Sequence, residues 1–282
     1  MLAIDSHHHI WNPSVGDFSW MTKAHDPINR EFTAGDLEPL LEEARVSNTV
    51  LVQTWSSLEE TEAFLTLAGT CEFIAGVVGW VDLTGDVSMQ LARLNAHPEV
   101  SLLKGIRHQV HDEDDANWLM RPDVQHGLHA LSKSGLVYDL LIRAREIPAA
   151  VSCVKALPDM KFIVDHIAKP RICDGWDAEW DAQITQLATQ KTNVWIKLSG
   201  LVTESNWQAW RPQDIEPYVQ RVLTLFGTKR VMVGSDWPVC TLASTYGNTM
   251  ELVRDCISNF SVDEQEDILR NNAIRAYGLD VA

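Results

Sequence analysis

Short apolar runs recur at nearly even intervals along the 282-residue chain, and longer stretches with a helical spacing of apolar positions separate them. Eight runs have strand length and are rich in Val, Ile and Leu. They are Leu2–Ser6, Thr49–Thr54, Phe73–Leu83, Leu102–Val110, Leu136–Ile142, Lys161–Ile167, Asn193–Ser199 and Arg230–Ser235. The helical patterns between them are Asp36–Arg45, Leu58–Ala68, Val87–Asn95, Gln125–Ser134, Ala144–Ala156, Trp180–Gln190 and Ile215–Phe226. Eight strands that alternate with helices predict an α/β fold, a (β/α)8 TIM barrel, more readily than an open sheet.

The chain after the eighth run predicts one more helix. Ser261 and Glu264 have the spacing of a capping box at the start of Val262–Tyr277. No Pro-, Gly- or Ser-rich linker interrupts the chain, so we expect a single domain over residues 1–282. The irregular segment from Trp11 to Phe32 is expected to cover the mouth of the barrel.

Composition narrows the classes of function. With 23 Lys and Arg against 39 Asp and Glu, the net charge is −16, and no segment concentrates basic residues, so we expect no nucleic-acid partner. No apolar run reaches membrane-spanning length, so we expect no membrane partner. No secretory signal precedes Asp5, and the five cysteines are scattered without a Cys-x-x-Cys pair, which predicts a cytoplasmic protein. No pattern indicates an oligomeric state.

Polar residues stand where the predicted strands end. In a barrel of this kind the loops after the strands form the active site, so these side chains should meet at one mouth. They are His7, His9, Gln53, Trp55, Trp80, Asp82, Lys104, Arg107, His108, Tyr138, Asp139, Asp165, His166, Lys197, Ser199, Ser235, Asp236 and Trp237. Singly, each has an ordinary structural role; His166 could be a satisfied buried histidine and Asp236 a turn cap. Together they predict a functional site, because burying several charges without partners costs too much free energy.

Four motifs carry a resemblance to a known family. They are Asp5-Ser6-His7-His8-His9-Ile10-Trp11, Asp165-His166-Ile167-Ala168-Lys169-Pro170, Lys197-Leu198-Ser199-Gly200-Leu201 and Gly234-Ser235-Asp236-Trp237-Pro238. With these motifs the whole chain resembles the amidohydrolase superfamily, specifically amidohydrolase-related family 2. Within it, the opening and closing motifs look most like the sugar-lactone hydrolases of the L-fuconolactonase and L-rhamnonolactonase type.

The resemblance implies roles for four residues. His7 and His9 fall on the strand-one metal motif, His166 on the strand-six histidine, and Asp236 on the aspartate that activates water. These four are the implied catalytic residues and, where a metal is bound, the implied ligands. Strand five carries Asp139 in place of a histidine ligand, so at most one divalent ion, Zn or Mn, is expected. The alternative is a metal-independent site in which the histidines donate hydrogen bonds to the developing oxyanion.

The implied reaction is hydrolysis of a sugar-derived (aldono) lactone, a small-molecule substrate, to the open-chain sugar acid, with water activated by Asp236. Indole faces suit a hydroxylated ring, and directional donors suit its hydroxyl groups. The candidate substrate-binding residues are Gln53, Trp55, Trp80, Arg107, His108, Trp20 and Trp237. Six other tryptophans are expected to pack between helices and barrel: Trp118, Trp176, Trp180, Trp195, Trp207 and Trp210.

Three alternatives stay open at this point. A metal-dependent decarboxylase of the same family would keep the His7 and His9 pair and Asp236 but surround the substrate with apolar groups. A hydrolase of a pyrone dicarboxylate lactone would need several arginines, and few are expected at the mouth. A non-enzymatic ligand-binding barrel would have no need for all of His7, His9, His166 and Asp236.

Overall fold

A computed structural model of the protein describes residues 1–190 and 193–281. Its centre is one sheet of eight parallel strands that pair in chain order. The strands are β1 (Ala3–His8), β2 (Val46–Val52), β3 (Ile74–Gly79), β4 (Leu103–His108), β5 (Val137–Leu140), β6 (Phe162–Val164), β7 (Val194–Leu198) and β8 (Val231–Val233). Most of their residues are buried, as expected of parallel strands covered on both faces.

The first and last strands close the sheet into the predicted barrel. His8 and Trp237 form a parallel bridge, the Asp236 amide donates to the His7 carbonyl at 2.8 Å, and the His9 amide donates to the Trp237 carbonyl at 2.6 Å. These backbone bonds lie at the ends of β1 and β8. They hold the residues that follow the two strands side by side.

The described chain has ten α-helices, nine around the barrel and one at its end. They are α1 (Ala34–Glu43), α2 (Leu58–Ala68), α3 (Val87–Asn95), α4 (Pro122–Leu131), α5 (Ile147–Ala156), α6 (Ala178–Ala188), α7 (Pro212–Phe226), α8 (Tyr246–Cys256), α9 (Val262–Glu266) and α10 (Asn272–Tyr277). The Ser261 and Glu264 box forms as predicted, and a π-helical turn at Asp267–Asn271 joins α9 to α10. The predicted terminal helix is therefore continuous but not uniformly α-helical.

Two local predictions need correction. Helix α8 was not predicted, because its start, Tyr246-Gly247-Asn248-Thr249, consists of poor helix formers; the Thr245 side chain caps it and its buried face packs against α1 and α7. The third strand ends at Gly79 rather than Leu83. Beyond Gly79 the chain turns instead of continuing the pairing.

The C-terminal helix α10 closes the end of the barrel where the strands begin. Ala273, Ala276 and Tyr277 pack with apolar strand residues such as Ile4 and Met232. The opposite end, where the strands finish, therefore carries the only open mouth that the described barrel has for a site built from strand ends.

The segment from Trp11 to Phe32 lies across that mouth. Trp11 and Phe32 pair their backbones in both directions, at 3.2 and 2.9 Å, and a 3₁₀ helix, Lys23–Ile28, lies within the segment. All five cysteines are free thiols. None of the described helices has both the length and the apolar character needed to cross a membrane.

Candidate active site

Three histidines and one aspartate meet at the mouth of the barrel. The Oδ1 atom of Asp236 lies 3.3 Å from Nε2 of His9, 3.7 Å from Nε2 of His7 and 3.9 Å from Nε2 of His166. The Nε2 atoms of His7 and His9 are 3.2 Å apart. None of the four side chains belongs to a residue more than 6% exposed. We call this group the His–Asp cluster.

The fold brings these residues together from three strand ends. Alternation along β1 puts His7 and His9 on the same side, while His166 is the second residue after β6 and Asp236 the third residue after β8. Both of the latter have left-handed backbones, with φ of 52° and 59°. Such conformations are costly for residues other than Gly and are concentrated at functional sites.

Close packing around the cluster requires a glycine at one neighbouring position. Gly200 has φ of 63°, and a Cβ atom there would lie 2.7 Å from Nδ1 of His166. A side chain would therefore both strain the backbone and displace the imidazole.

Two imidazoles of the cluster are oriented by hydrogen-bonding groups that lie outside the cluster. Nδ1 of His9 lies 2.8 Å from the Val52 carbonyl oxygen, which only accepts, so this nitrogen carries the proton. Nδ1 of His166 lies 2.9 Å from the Ser199 hydroxyl. Nε2 of His9 is therefore left as a lone pair toward Asp236, the arrangement expected of a metal ligand or a hydrogen-bond acceptor.

His7 is held by a buried ion network behind the cluster, made of Lys197, Asp139, Asp165 and Arg107. The Lys197 ammonium lies 2.7 Å from Asp139 and 2.8 Å from Asp165, and Nη1 of Arg107 donates to Asp165 at 3.1 Å. Nη1 also lies 3.2 Å from Nε2 of His7. Because a guanidinium only donates, Nε2 accepts; Nδ1 lies 3.2 Å from the Lys197 ammonium and 3.3 Å from Asp165.

The ion network leaves two carboxylates with different properties. Burial raises the pKa of Asp139 to about 6, although Lys197 opposes this. Burial acts in the same direction on Asp165, but Lys197, His7 and Arg107 outweigh it and hold the pKa well below its usual range. Asp165 is therefore ionised at neutral pH and fixes His7 from behind.

The electrostatics of the cluster favour a charged Asp236 among neutral imidazoles. Burial alone would raise the pKa of Asp236, but the neighbouring His166, with smaller contributions from His9 and Lys169, holds it below its ordinary value. Burial lowers the pKa of His7 and of His166 well below the usual range. A carboxylate that is ionised and faces a cavity can accept a proton from water.

The donor set suits one divalent ion. His7, His9 and Asp236 present their ligand atoms within 4.8 Å of one another, and nitrogen and oxygen donors in this number are typical of catalytic zinc. A second group, His7, Asp165 and His166, meets the same distance criterion. There, however, both oxygens of Asp165 lie in ion pairs with Lys197 and Arg107, so the first group is the better candidate.

A cavity of about 350 Å³ opens directly onto the cluster. Its lining is polar and aromatic. It consists of His9, Trp11, Trp20, His25, Thr54, Arg107, Gln109, His111, Asp112, Leu141, Arg143, His166, Lys169, Thr203, Glu204, Trp207, Asp236, Val239 and Leu242. We call Trp20, His25, His111, Arg143 and Trp207, which come from loops, the outer wall.

The predicted residues divide between the cavity and its surroundings. His9, His166, Asp236, Arg107 and Trp20 line the cavity. His7 lies outside the lining but in contact with His9. These placements agree with the expectation of a single mouth.

The other candidate substrate-binding residues lie outside the lining. The Gln53 side chain accepts from Arg107 at 2.8 and 3.1 Å, so it positions the guanidinium. Trp80 donates its indole N–H to His108 at 3.1 Å, and His108 stacks on Trp118 with ring centroids 4.3 Å apart. Direct substrate contact by Gln53, Trp80 or His108 therefore has no support from the cavity geometry.

Two tryptophans near strand ends pack against the covering segment instead. Trp55 lies against Gly16, and Trp237 meets Phe32 edge to face with centroids 5.3 Å apart. Neither tryptophan is among the residues that line the cavity.

For Trp207 the structure differs from the prediction made from the sequence. It was expected to pack between helices and barrel, yet it lines the cavity, with its ring centroid 5.6 Å from that of His25. Lys169 and Arg143 also line the cavity, so there are more cations at the mouth than the strand ends suggested. The signal was missed because Trp207 and Arg143 stand in loops beyond the strand ends.

Comparison with known proteins finds a protein family whose profile matches most of this chain. The profile described as amidohydrolase matches residues 4–279. An L-fucono-1,5-lactonase of Burkholderia ambifaria is 35% identical over 286 residues, covering 98% of this chain and 96% of that protein. An L-fucono-1,5-lactonase of Burkholderia multivorans is 35% identical over 290 residues, covering 99% and 96%. An amidohydrolase structure from Burkholderia multivorans with bound zinc superposes with a TM-score of 0.93 at 33% identity, over 99% of this chain and 100% of that one.

Proposed function

The chain belongs to the amidohydrolase family, and we propose that it hydrolyses a sugar-derived lactone to the open-chain sugar acid. The observation that carries the proposal is the ionised Asp236 among three imidazoles at the floor of a small cavity. The full-length similarity to L-fucono-1,5-lactonases supports the substrate class, and L-fucono-1,5-lactone is the first candidate.

Asp236 acts as the general base. Its carboxylate takes one proton from a water molecule in the cavity while the water oxygen bonds to the lactone carbonyl carbon. In the second half of the reaction the bond between that carbon and the ring oxygen breaks. The proton held by Asp236 then passes to the departing ring oxygen, so the product is an acid with a new hydroxyl group.

The positive charge of Arg107 stabilises the negative charge on the carbonyl oxygen. Arg107 lines the cavity while Gln53 and Asp165 hold its guanidinium in place, so the positive charge is already positioned when the negative charge develops. A charge held in this way needs little reorganisation during the reaction.

One divalent ion, zinc or manganese, fits beside these residues. When bound, it would polarise the lactone carbonyl and make water more acidic, and His7, His9 and Asp236 would hold it, with His166 alongside. The zinc in the similar Burkholderia multivorans structure supports this assignment.

The composition of the cavity weighs against the decarboxylase alternative. An aromatic acid losing carbon dioxide would need apolar surroundings, whereas Arg107, Asp112 and Glu204 stand among the lining residues. Of the candidate substrate-binding residues, Trp20 and Arg107 keep a direct role in this proposal. Cytoplasmic location and a role in carbohydrate metabolism remain predictions.

A lactone panel tests the proposal. Purified protein is mixed with five- and six-membered aldonolactones in weak buffer with a pH indicator, and metal content is measured by elemental analysis on the same sample. We expect acid release from at least one six-membered sugar lactone well above its spontaneous rate. Hydrolysis of none, or carbon dioxide release from aromatic acids instead, would overturn the proposal.

A further inference from the structure

We propose that the cavity selects lactones of deoxy sugars, whose terminal methyl group packs on an apolar side of the cavity. This apolar side is formed by Trp20, Trp207, Val239 and Leu242. The inference rests on the proposed function and narrows its substrate class. The preferred substrate carries a methyl group where other sugar lactones carry a hydroxymethyl group.

The apolar side consists of side chains that the protein leaves partly uncovered. Trp20, Trp207, Val239 and Leu242 line the cavity that also contains Asp236, and each of them is partly exposed. Burying apolar surface is favourable, and such surface in a concave site is what a ligand covers when it binds. An apolar substituent of the ligand therefore gains most on this side.

Trp207 can offer a ligand only apolar surface. Its indole N–H already donates to the Thr203 carbonyl at 2.7 Å, and this nitrogen is the only polar atom of the side chain. Its ring meets His25 with centroids 5.6 Å apart, and His25 meets Trp20 edge to face at 5.3 Å. These contacts hold the two indoles in place between the loop after β7 and the covering segment.

Val239 and Leu242 lie close in the chain to the proposed base. They begin and end a 3₁₀ turn, Val239–Leu242, whose first residue is three positions after Asp236. The 3₁₀ helix Lys23–Ile28 of the covering segment packs against this turn. In a six-membered 1,5-lactone the methyl group stands on the carbon bonded to the ring oxygen, so it lies beside the ester bond that is cleaved. A lactone that reacts at Asp236 therefore brings its methyl group near this turn.

The barrel places charged residues across the cavity from the apolar side. The strands pair in chain order and β8 closes on β1, so β4 and β5 lie opposite β8 and β1. The cavity lining includes Arg107 of β4, Asp112 from the loop after β4 and Arg143 from the loop after β5. Their polar groups suit the ring hydroxyls as hydrogen-bond partners. The hydroxyl groups and the methyl group of a deoxy lactone can thus contact opposite sides of one cavity.

A hydroxymethyl group would bind less well on the apolar side than a methyl group. Its hydroxyl would leave water, yet Val239 and Leu242 have no polar side-chain atoms and the indole nitrogen of Trp207 already has a partner. Burying a hydroxyl group without a hydrogen bond costs free energy. An apolar site rejects an added hydroxyl group by roughly a hundredfold at most, which sets the size of the expected preference.

The test measures kcat/KM for pairs of lactones that differ by one hydroxyl group. L-fucono-1,5-lactone is paired with L-galactono-1,5-lactone, and L-rhamnono-1,5-lactone with L-mannono-1,5-lactone. The second member of each pair carries a hydroxymethyl group in place of the methyl group. We expect the unmodified protein to prefer the deoxy member by about tenfold to a hundredfold in any pair that it hydrolyses.

Two results with these lactones would have different meanings. Equal kcat/KM within every hydrolysed pair, or hydrolysis of only those lactones that lack a methyl group, would overturn this inference and leave the proposed function standing. Absence of hydrolysis of any sugar lactone would instead overturn the proposed function.

A double variant locates the preference on the apolar side. Val239→Thr combined with Leu242→Asn keeps the sizes of the side chains but makes them polar, so the preference for the deoxy lactone should fall by about threefold or more. The matched control makes the same two changes outside the cavity, as Val262→Thr with Leu2→Asn, at positions 68% and 55% exposed. The control should keep the preference of the parent. An unchanged preference in the cavity variant would contradict the inference.

A measurement on the unmodified protein covers the case in which the cavity variant fails to fold. The lactone that carries a hydrogen atom in place of the methyl group is compared with the deoxy lactone. A cavity that only excludes larger groups would accept both equally, whereas an apolar contact favours the methyl group. We expect the smaller lactone to lose about fourfold in kcat/KM. Equal kcat/KM for the two would overturn the inference.

Discussion

The His–Asp cluster and the outer wall line one cavity but are built differently. Each cluster side chain is at least nine-tenths buried and lies near another charged or hydrogen-bonding group that the barrel fixes. In the outer wall, the exposed Arg143 forms no ion pair with any described residue, and the ring nitrogens Nδ1 of His111 and Nε1 of Trp20 have no partner there.

Charge stabilisation and substrate recognition are assigned to different regions by this contrast in construction. Groups that must stabilise charge act best when they are oriented before the reaction, and strand ends provide that rigidity. Groups that recognise a substrate can leave their polar atoms unpaired until the ligand arrives. Mutations in the two regions should therefore have different effects. Those in the His–Asp cluster should lower turnover, and those in the outer wall should change substrate preference.

The largest effect is expected at Asp236. Asp236→Asn keeps size, and Asn tolerates the left-handed backbone, so the fold should survive, while kcat falls by about a hundredfold to ten-thousandfold because the proton acceptor is lost. Stopped-flow or indicator assays give kcat, and elemental analysis of the variant separates loss of the base from loss of a metal.

The control variant for Asp236→Asn is Glu204→Gln, which removes another carboxylate of the cavity lining and should lower kcat by less than tenfold.

The lowered pKa of Asp236 also predicts how activity depends on pH, because the ionised form, which is the base, is present at higher pH. The ordinary pKa of an aspartate is about 4. Because the pKa of Asp236 is lower than this, activity should be lost only when the pH falls below that value. Nearly full activity in Asp236→Asn would show that another group is the base.

The ion network behind the cluster should matter for stability. Lys197→Met leaves Asp139 and Asp165 buried without their ammonium partner, so the free energy of unfolding should fall by about 3 to 5 kcal/mol. Urea denaturation measures it, with the exposed Lys133→Met as control. A decrease of less than about 1 kcal/mol would mean that the ion pairs of Lys197 contribute little to stability.

Glu60 supports the cavity lining outside both regions, since its carboxyl group accepts from the backbone N–H of Thr54 at 2.9 Å. Burial raises its pKa to about 7. Its contribution to stability is therefore complete below the ordinary glutamate pKa and is lost as the pH rises through about 7. From pH 4.5 to 8 the unfolding free energy of the parent should fall relative to Glu60→Gln by up to about 3 kcal/mol.

Chemical denaturation at several pH values measures this difference. The exposed Glu42→Gln serves as control and should follow the parent protein at every pH. A parent and Glu60→Gln difference that stays constant over the range would contradict the assignment.

The smallest effect is expected in the outer wall. Trp207→Ala removes an apolar face from the cavity, so KM should rise by roughly twofold to tenfold with little change in kcat. Trp176→Ala is the control, because Trp176 is 48% exposed and lies outside this cavity. A loss confined to kcat would place Trp207 with the cluster and break the distinction between the two regions.

Much of the fold and the central chemistry followed from local patterns. The spacing of apolar runs predicted the barrel because strand and helix periodicities are properties of neighbouring residues. The same logic located His7, His9, His166 and Asp236, since all strands of a parallel barrel end at the same face. The structure differs from these predictions in the exact limits of some strands and helices and in α8, whose first residues are weak helix formers.

The tertiary structure decided which of the strand-end residues face the cavity. Gln53 and His108 were equivalent to Arg107 in sequence, yet only Arg107 lines the cavity, while Gln53 accepts from Arg107 and His108 accepts from the Trp80 indole. Trp207 lies in a loop whose path depends on packing against the covering segment. Such choices follow from contacts between residues far apart in the chain, which no local pattern encodes.

The protonation states were likewise decided by three-dimensional contacts. The sequence determined that imidazoles and carboxylates would gather at one mouth. That Asp236 is ionised depends on neighbours such as His166, which outweigh the effect of burial. Burial and hydrogen bonding set the free energy of each charge, and both exist only once the chain has folded.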